Sequence, residues 1–176
     1  MVILGCDVST TTVGYAFLED GKVLDMGFID ISKKLTLKEK AVYAYEELQV
    51  NKFFNKVQKI CVEDSLSSFA WGKTSTQTII KLAKFNAVFC FIMEWGLDDV
   101  VELINPNTAR KTVFGKTRVR GKTAKEFVRE QLEKGYDINQ FIKLNTRGNF
   151  DKRNIDAYDA AVCALHYSKL CITPNQ

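Results

Sequence analysis

Near its start the chain runs VILGCDV (residues 2–8), an almost unbroken apolar stretch of one strand's length. That is the pattern of a central strand buried on both faces. TVGYAFLE (12–19) and KVLDMGFIDI (22–31) follow, joined by Asp20-Gly21, a strong hairpin signal. From 36 to 57 the period turns helical, with Leu37, Ala41, Val42, Tyr45 and Leu48 roughly on one face. KICVED (59–64) returns to strand, SLSSFAWGKTS (65–75) reads as a loop, and TQTIIKLAKFNAVFCFIMEW (76–95) as a long, largely buried helix. VVELIN (100–105) is a further strand, after which Pro106 suits the first position of a short helix. Residues 122–134 make an amphipathic helix stopped at Gly135, and a polar, loop-like stretch leads to a last helix opening with NIDAYDAAVCALHY (154–167). The order β-β-β-α-β-α-β-α-α-α predicts an α/β fold, a mixed sheet with helices packed on it, in one domain spanning 1–176.

The last helix poses a chemical question. Asp156 and Asp159, three residues apart, share a face of an otherwise apolar helix. Acids near a helix N-terminus complement its dipole, with Asn154 as a candidate cap, and that reading stands beside a functional one. Further carboxylates decide between them. Asp7 interrupts the apolar first strand, and Glu63 lies near the end of the fourth. An acid inside a central strand is costly to bury unless it is paired or bound to a metal. If these strands are neighbours and the last helix crosses their ends, Asp7, Glu63, Asp156 and Asp159 converge. An oxygen-only set of four suits Mg²⁺, with Mn²⁺ able to substitute. Two such ions roughly 4 Å apart would activate a water and stabilise the leaving oxygen of a phosphodiester. Glu63 and its neighbour Asp64 take opposite strand faces, so only one of them meets this group.

Charge changes the picture through its distribution. The net +4 and pI near 8.7 are mild, but from Leu103 through Lys125 there is no acid and there are seven cations: Arg110, Lys111, Lys116, Arg118, Arg120, Lys122 and Lys125. They alternate with Asn, Thr and Gly, which also bond phosphate oxygens, so DNA contact is favoured over a merely solvated face. In the 65–75 loop, Phe69 and Trp71 either stack on unpaired bases at a branch point or pack beneath the loop. Five cysteines without a CxxC and a single histidine, His166, argue against zinc and for reduced core thiols. His166 reads as a core histidine ahead of a general base; Asp64 and Asp151 read as surface acids or loop caps, with Asp151 a weak site candidate, and Thr10 to Thr12 as a polar turn or, alternatively, a contact to the DNA backbone. No signal peptide is expected where a strand already begins, and AVFCFIM (87–93) is too short to span a bilayer. The expectation is an intracellular, cytoplasmic protein without a membrane partner.

GCDVSTTTVGYAFLEDGKV, CVEDS and NIDAYDAAVCAL resemble, in order, the three acidic motifs of the RuvC-type Holliday-junction resolvases, and INPNTARKTVFGKTRVRGKTAKEFV resembles that family's basic segment. The resemblance covers almost the whole chain. It implies an RNase H-like fold with a mixed five-stranded sheet flanked by helices, and a homodimer that nicks two opposed strands of a four-way DNA junction. It also implies a metal-binding catalytic quartet of Asp7, Glu63, Asp156 and Asp159. The family's first basic position falls on Arg110, with Lys111 adjacent. Its second falls on Lys125, beside Lys122, where a lysine near the metals would stabilise charge on the scissile phosphate. The 65–75 loop departs from the family: it is longer, and Leu66 stands where an aromatic is expected.

Three other readings compete. GCDVSTTTVGYA also resembles the phosphate loop of sugar kinases and actin-like ATPases, which need a second domain that 176 residues do not hold. A non-catalytic DNA-binding module would not retain four unpaired acids. A broader branched-DNA or flap nuclease keeps the chemistry and changes the substrate. For the homodimer, the 76–95 helix supplies an interface candidate, since Ile79, Ile80, Leu82, Phe85, Val88, Phe89, Phe91, Ile92 and Trp95 lie on more faces than one sheet can cover.

Overall fold

The computed structural model describes residues 1–34, 36–64 and 75–172. Strands β1 (Val2–Val8), β2 (Thr12–Glu19) and β3 (Lys22–Asp30) precede helix α1 (Leu37–Gln49). Strand β4 (Val57–Glu63), helix α2 (Thr76–Leu97) and strand β5 (Val101–Ile104) follow, and helices α3 (Pro106–Phe114), α4 (Ala124–Gly135) and α5 (Asn154–Ile172) complete the order expected from the sequence. The sheet runs β3-β2-β1-β4-β5. β1–β2 and β2–β3 pair antiparallel, while β1–β4 and β4–β5 pair parallel, so the sheet is mixed and β1 is its central strand.

Local chemistry sets most of the boundaries. Asp20 (φ 50°) and Gly21 (φ 78°) both sit in the left-handed region, as the tight turn between β2 and β3 requires. Thr36 and Glu39 form a reciprocal capping box at α1, and Thr123 and Glu126 repeat it at α4. The Asn105 side chain accepts from Asn107 and Thr108 N–H, Pro106 takes the first turn, and Gly115 (φ 77°) closes α3. The helix expected over 36–57 is divided. It stops at Gln49, because the Asn51 side chain accepts from Phe53 N–H (3.0 Å) and donates to Asp25, giving the backbone an alternative to helix. A short 3₁₀ turn (Phe54–Lys56) then buries Phe54 before β4.

The expectation that Asn154 caps the last helix is also corrected. Asn154 is buried; its amide donates to the carbonyls of Lys143 (2.7 Å) and Asp151 (2.8 Å), and its Oδ1 accepts from Lys143 N–H (3.1 Å). It ties down the preceding loop, and Asp151 Oδ1 accepts from Arg153 N–H at the helix entrance.

Two apolar layers flank the sheet. Val2, Leu4, Cys6 and Val8 of β1 pack with α1 and α2 on one face, while Ile3 shares the other face with α3, α4 and α5. At Gly5 and Gly14 helix α5 meets β1 and β2 backbone to backbone, with no strand side chain between. A Cβ at Gly5 would fall 2.1 Å from the Ala160 carbonyl oxygen, and one at Gly14 would fall 2.2 Å from the Asp156 carbonyl. Ala157, Ala160, Ala161 and Ala164 form the matching helix surface, all fully buried.

Because both sides of that contact are backbone, neither can yield cheaply. Gly14→Ala is expected to destabilise by about 3 kcal/mol, a fall in Tm of roughly 6–12 °C for a chain of this size. A thermal melt unchanged within 2 °C would show that the helix seats elsewhere.

Candidate active site

The register of β1 turns Asp7, two residues on from Gly5, toward α5, and pairs it with Gly14 of β2. On β4 the α5-facing positions are Cys61 and Glu63, whereas Ile60 and Val62 face α1 and α2. Glu63 therefore points at α5. Asp64 turns the other way, into a separate cleft of about 220 Å³ with Asn86, Cys90 and Glu94 of α2. The Asn86 amide donates to the Glu63 carbonyl (3.2 Å), fastening the end of β4 to α2. The first two turns of α5, seated on Gly14, bring Asp156 and Asp159 to the same strand ends. All four acids line one cleft of about 360 Å³, together with Val8, Ser9, Leu82, Arg110, Ala124 and Lys125. One carboxylate oxygen from each of Asp7, Glu63 and Asp159 lies within 4.8 Å of the others. Asp156 borders this trio on the more open side.

Electrostatics mark the cleft as a cation site. Burial pushes the Glu63 carboxyl up to about 8, with Asp159 adding to the rise and Arg110 and Lys125 opposing it. Burial likewise raises Asp7 well above the ordinary carboxylate range, and Glu63, Asp159 and Asp156 push it further. Asp156 rises to about 6, chiefly by burial against the pull of Lys125. Asp159 is raised by burial although Arg110 beside it favours the charged form. When all four carboxylates are ionised they face one guanidinium and one ammonium, so two negative charges are left without a counterpart in the cleft. Three carboxylate oxygens within reach of one another and a negative excess fit a hard divalent cation. The residues that would hold it are Asp7, Glu63 and Asp159, with Asp156 completing the set.

Arg110 requires a correction. Expected in the DNA-facing stripe, it is buried in the cleft wall, where its Nη2 donates to Asp159 Oδ1 at 3.2 Å and its Nε has no partner among the described residues. The signal for this was present: Arg110 occupies the third place of the buried run Pro106, Ala109, Arg110, Val113, the inward face of α3. Lys125, in the first turn of α4, keeps an exposed surface while lining the cleft. Lys111, Lys116, Arg118, Arg120 and Lys122 are exposed, and Lys122 is paired with Glu130. Phe69 and Trp71 lie outside the described residues. Sequence reasoning missed Leu82, which brings α2 to the cleft, and Ser9, whose hydroxyl accepts from Thr12 N–H (3.0 Å) and folds the turn after Asp7. His166 is buried and does not line the cleft, and burial lowers its pKa. Among the described residues no helix is long and apolar enough to cross a membrane.

The raised carboxylates make a sign-definite prediction. Unfolded, Glu63 and Asp156 titrate near 4.5 and 3.8; folded, near 8 and 6. The native chain therefore binds more protons than the unfolded chain between those values, so metal-free stability is full below about pH 4 and is lost as pH rises toward 8. Melts in EDTA should show Tm falling by several degrees from pH 5 to pH 8, with the loss reversed by millimolar Mg²⁺ at pH 8. Glu63→Gln should flatten the decline. A Tm indifferent to both pH and Mg²⁺ would remove the carboxylates from a cation site.

No family model matches the chain. It is 31% identical over 147 residues to crossover junction endodeoxyribonuclease RuvC of Campylobacter concisus (strain 13826), a match covering 81% of this chain and 87% of that protein. In three dimensions it is similar to Thermus thermophilus RuvC, with a TM-score of 0.66, 14% identity and 98% and 96% of the two chains covered. The same protein in complex with Holliday junction substrate gives 0.64, with 15% identity and 98% and 95% covered. The yeast mitochondrial Holliday junction resolvase Ydc2 gives 0.61, with 15% identity and 95% and 77% covered. The solved structures speak for the RNase H-like fold, and the Campylobacter relative, matched over most of both chains, establishes the kinship: this chain belongs to the RuvC family of crossover junction endodeoxyribonucleases.

Proposed function

We propose that the protein is a Holliday-junction resolvase, a divalent-metal-dependent endonuclease that nicks opposed strands of four-way DNA junctions by hydrolysing a phosphodiester in the acidic cleft. The observation that carries this reading is the trio of half-buried Asp7 and buried Glu63 and Asp159 within 4.8 Å, with Asp156, Lys125 and Arg110 in the same wall. The oxygen-only donors suit Mg²⁺, with Mn²⁺ as a substitute, and four carboxylates support two ions per site. Bound there, the cations supply Lewis acidity toward the scissile phosphate and lower the pKa of water.

The chain's own groups do the rest. Asp7, on the central strand, and Glu63, held by Asn86 through the end of β4, are the rigid half of the site. Asp156 and Asp159 are placed by the seating of α5 on Gly5 and Gly14. Arg110 orients Asp159 and offsets part of the cost of burying its charge. Lys125 stands at the exposed lip, where its ammonium meets a non-bridging phosphate oxygen and stabilises the charge that develops there. Lys111, Lys116, Arg118, Arg120 and Lys122 track the backbone of a DNA arm without reading sequence.

Paired nicks call for two sites, and a twofold homodimer supplies them. Helix α2 buries Phe85, Phe89 and Met93 but leaves Ile80, Phe91 and Trp95 exposed, with Val100 and Leu103 exposed nearby on the β5 edge. This surface fits a second copy.

The decisive comparison is cleavage of four-way junction, flap, fork and linear duplex DNA with Mg²⁺. The junction should be cut in preference, and equal cleavage of flaps would favour the broader branched-DNA nuclease. Asp7→Asn, Glu63→Gln, Asp156→Asn and Asp159→Asn should each abolish cutting while junction binding survives; any one retaining near-normal rates leaves the site. Lys125→Ala should slow single-turnover cleavage by about 10²-fold, more than it weakens binding.

The dimer has its own test. Sedimentation should give about twice the 20.0 kDa chain mass. Trp95→Glu should yield a monomer that nicks without resolving. A monomeric parent protein that still makes paired nicks would overturn the dimer.

A further inference from the structure

The 18 residues joining α4 to α5 contain a built element that the cleft does not use. From Ile138 to Ile155 the cations are Lys143, Arg147, Lys152 and Arg153, and the only acid is Asp151. Residues 143–149 are all exposed, yet they are ordered by their own hydrogen bonds. Asn145 N–H donates to the Asn149 carbonyl (2.7 Å), and Gly148 N–H to the Asn145 carbonyl (2.9 Å). The Asn145 side chain accepts from Arg147 N–H (2.9 Å) and Asn149 N–H (3.2 Å). Gly148 (φ 74°) completes a tight turn, and Leu144 bridges Phe150 across it.

The base of this hairpin is anchored in the interior. Buried Asn154 bonds both polar groups of the Lys143 backbone, and Phe150 stacks on Tyr158 of α5 with the Arg129 guanidinium 4.0 Å from its ring. Lys143 and Arg153 both sit over the Phe28 ring of β3, at 4.8 and 4.5 Å. The charges also divide in a telling way. Arg153 is satisfied by Asp151 and Asp30, and Arg129 by Glu133. Lys143, Arg147 and Lys152 are exposed and make no ion pair among the described residues. The hairpin is thus fastened to α5 and carries three cations without a carboxylate partner among the described residues, of which Lys143 alone rests on a ring.

Its position gives those cations a ligand. Asp156 N–H donates to the Arg153 carbonyl (3.2 Å), so the loop ends one helical turn before a cleft acid. Phe28, on which it rests, pairs with Gly14, the residue against which Asp156 is seated. The loop therefore stands at the cleft's end of the sheet on the β3 edge. The Lys111–Lys122 stripe begins on α3, which follows β5 at the opposite edge. We propose that the Lys143–Arg153 hairpin is a second DNA-backbone contact, in which Lys143, Arg147 and Lys152 hold phosphates of the strand that leaves the cleft on the side away from the stripe. This deepens the resolvase reading and rests on it.

Arg147→Ala with Lys152→Ala is the test, because neither side chain bonds anything among the described residues. Four-way junction affinity is measured from 50 to 300 mM salt in EDTA, beside the parent protein and an Arg118→Ala, Arg120→Ala comparator. One phosphate contact contributes roughly one unit to the slope of log K against log salt, so the loop variant should lower it by about 2 and raise Kd several-fold at every salt. With a melt like the parent's, an unchanged slope and Kd would overturn this inference alone, provided that parent and comparator behave as the resolvase reading requires. A parent that neither binds nor cuts junctions would overturn both.

Discussion

The contact on which this structure depends is a backbone laid on a backbone. Gly5 and Gly14 leave no side chains where α5 crosses β1 and β2, and four buried alanines return the favour from the helix. At these two positions nothing but hydrogen separates the strand backbone from the helix backbone, so the helix sits as low on the sheet as the chain allows. That approach decides the chemistry, because aspartate has a short side chain. Asp159 reaches the oxygens of Asp7 and Glu63 only because its helix has been let down onto the strands. It also explains how a helix apolar on nearly every face carries two acids in its first turns. The sheet covers one side, α3 and α4 cover the other, and the acids occupy the single opening left at the strand ends.

Such seating has an electrostatic consequence. Carboxylates fixed by strand register and helix packing cannot move apart to relieve their repulsion, and burial denies them water. The raised proton affinities of Asp7, Glu63, Asp156 and Asp159 are the visible result. Arg110 and Lys125 offset part of the charge, and they do so differently. Arg110 is locked to Asp159 in the wall, whereas Lys125 remains at the surface where it can exchange water for a phosphate. A rigid, negatively charged hole with one mobile cation at its lip is poorly suited to holding itself together and well suited to gripping a divalent ion.

Much of this was legible in the sequence. The ten major elements appear in the expected order, since strand-length apolar runs, the Asp20-Gly21 turn and Pro106 are signals of local origin. The four acids were legible because each violates the pattern of its own element. Arg110 was misplaced for the opposite reason: in a run of seven cations, one that faces inward looks like the rest until its neighbours Ala109 and Val113 are set on the same helix face. The helix expected to 57 was cut short by an asparagine whose side-chain bonds reach across to β3, a tertiary event that no helical period encodes. The 143–153 hairpin was read only as polar loop, because what orders it is Asn154 behind it and Phe28 beneath it. The role of Phe69 and Trp71 stays with residues outside those described.

The layering also constrains how a dimer can work. Leu82, in the second turn of α2, borders the acidic cleft, whereas Phe91 and Trp95 lie nine and thirteen residues further along the same helix. At 1.5 Å per residue this places the exposed aromatics roughly 14–20 Å from the cleft along the helix axis. They also belong to the layer opposite α5. A second copy docked on them, as proposed, would cover neither cleft, neither basic stripe nor either 143–153 hairpin. The same α2 that forms the joint would run on to line each cleft, and through Asn86 it grips the end of β4 beside Glu63. One stiff helix would then set the separation between two sites that must meet two strands of one junction. A substitution that shifts α2 along its axis would thus disturb the spacing of the nicks before it disturbed either site's chemistry.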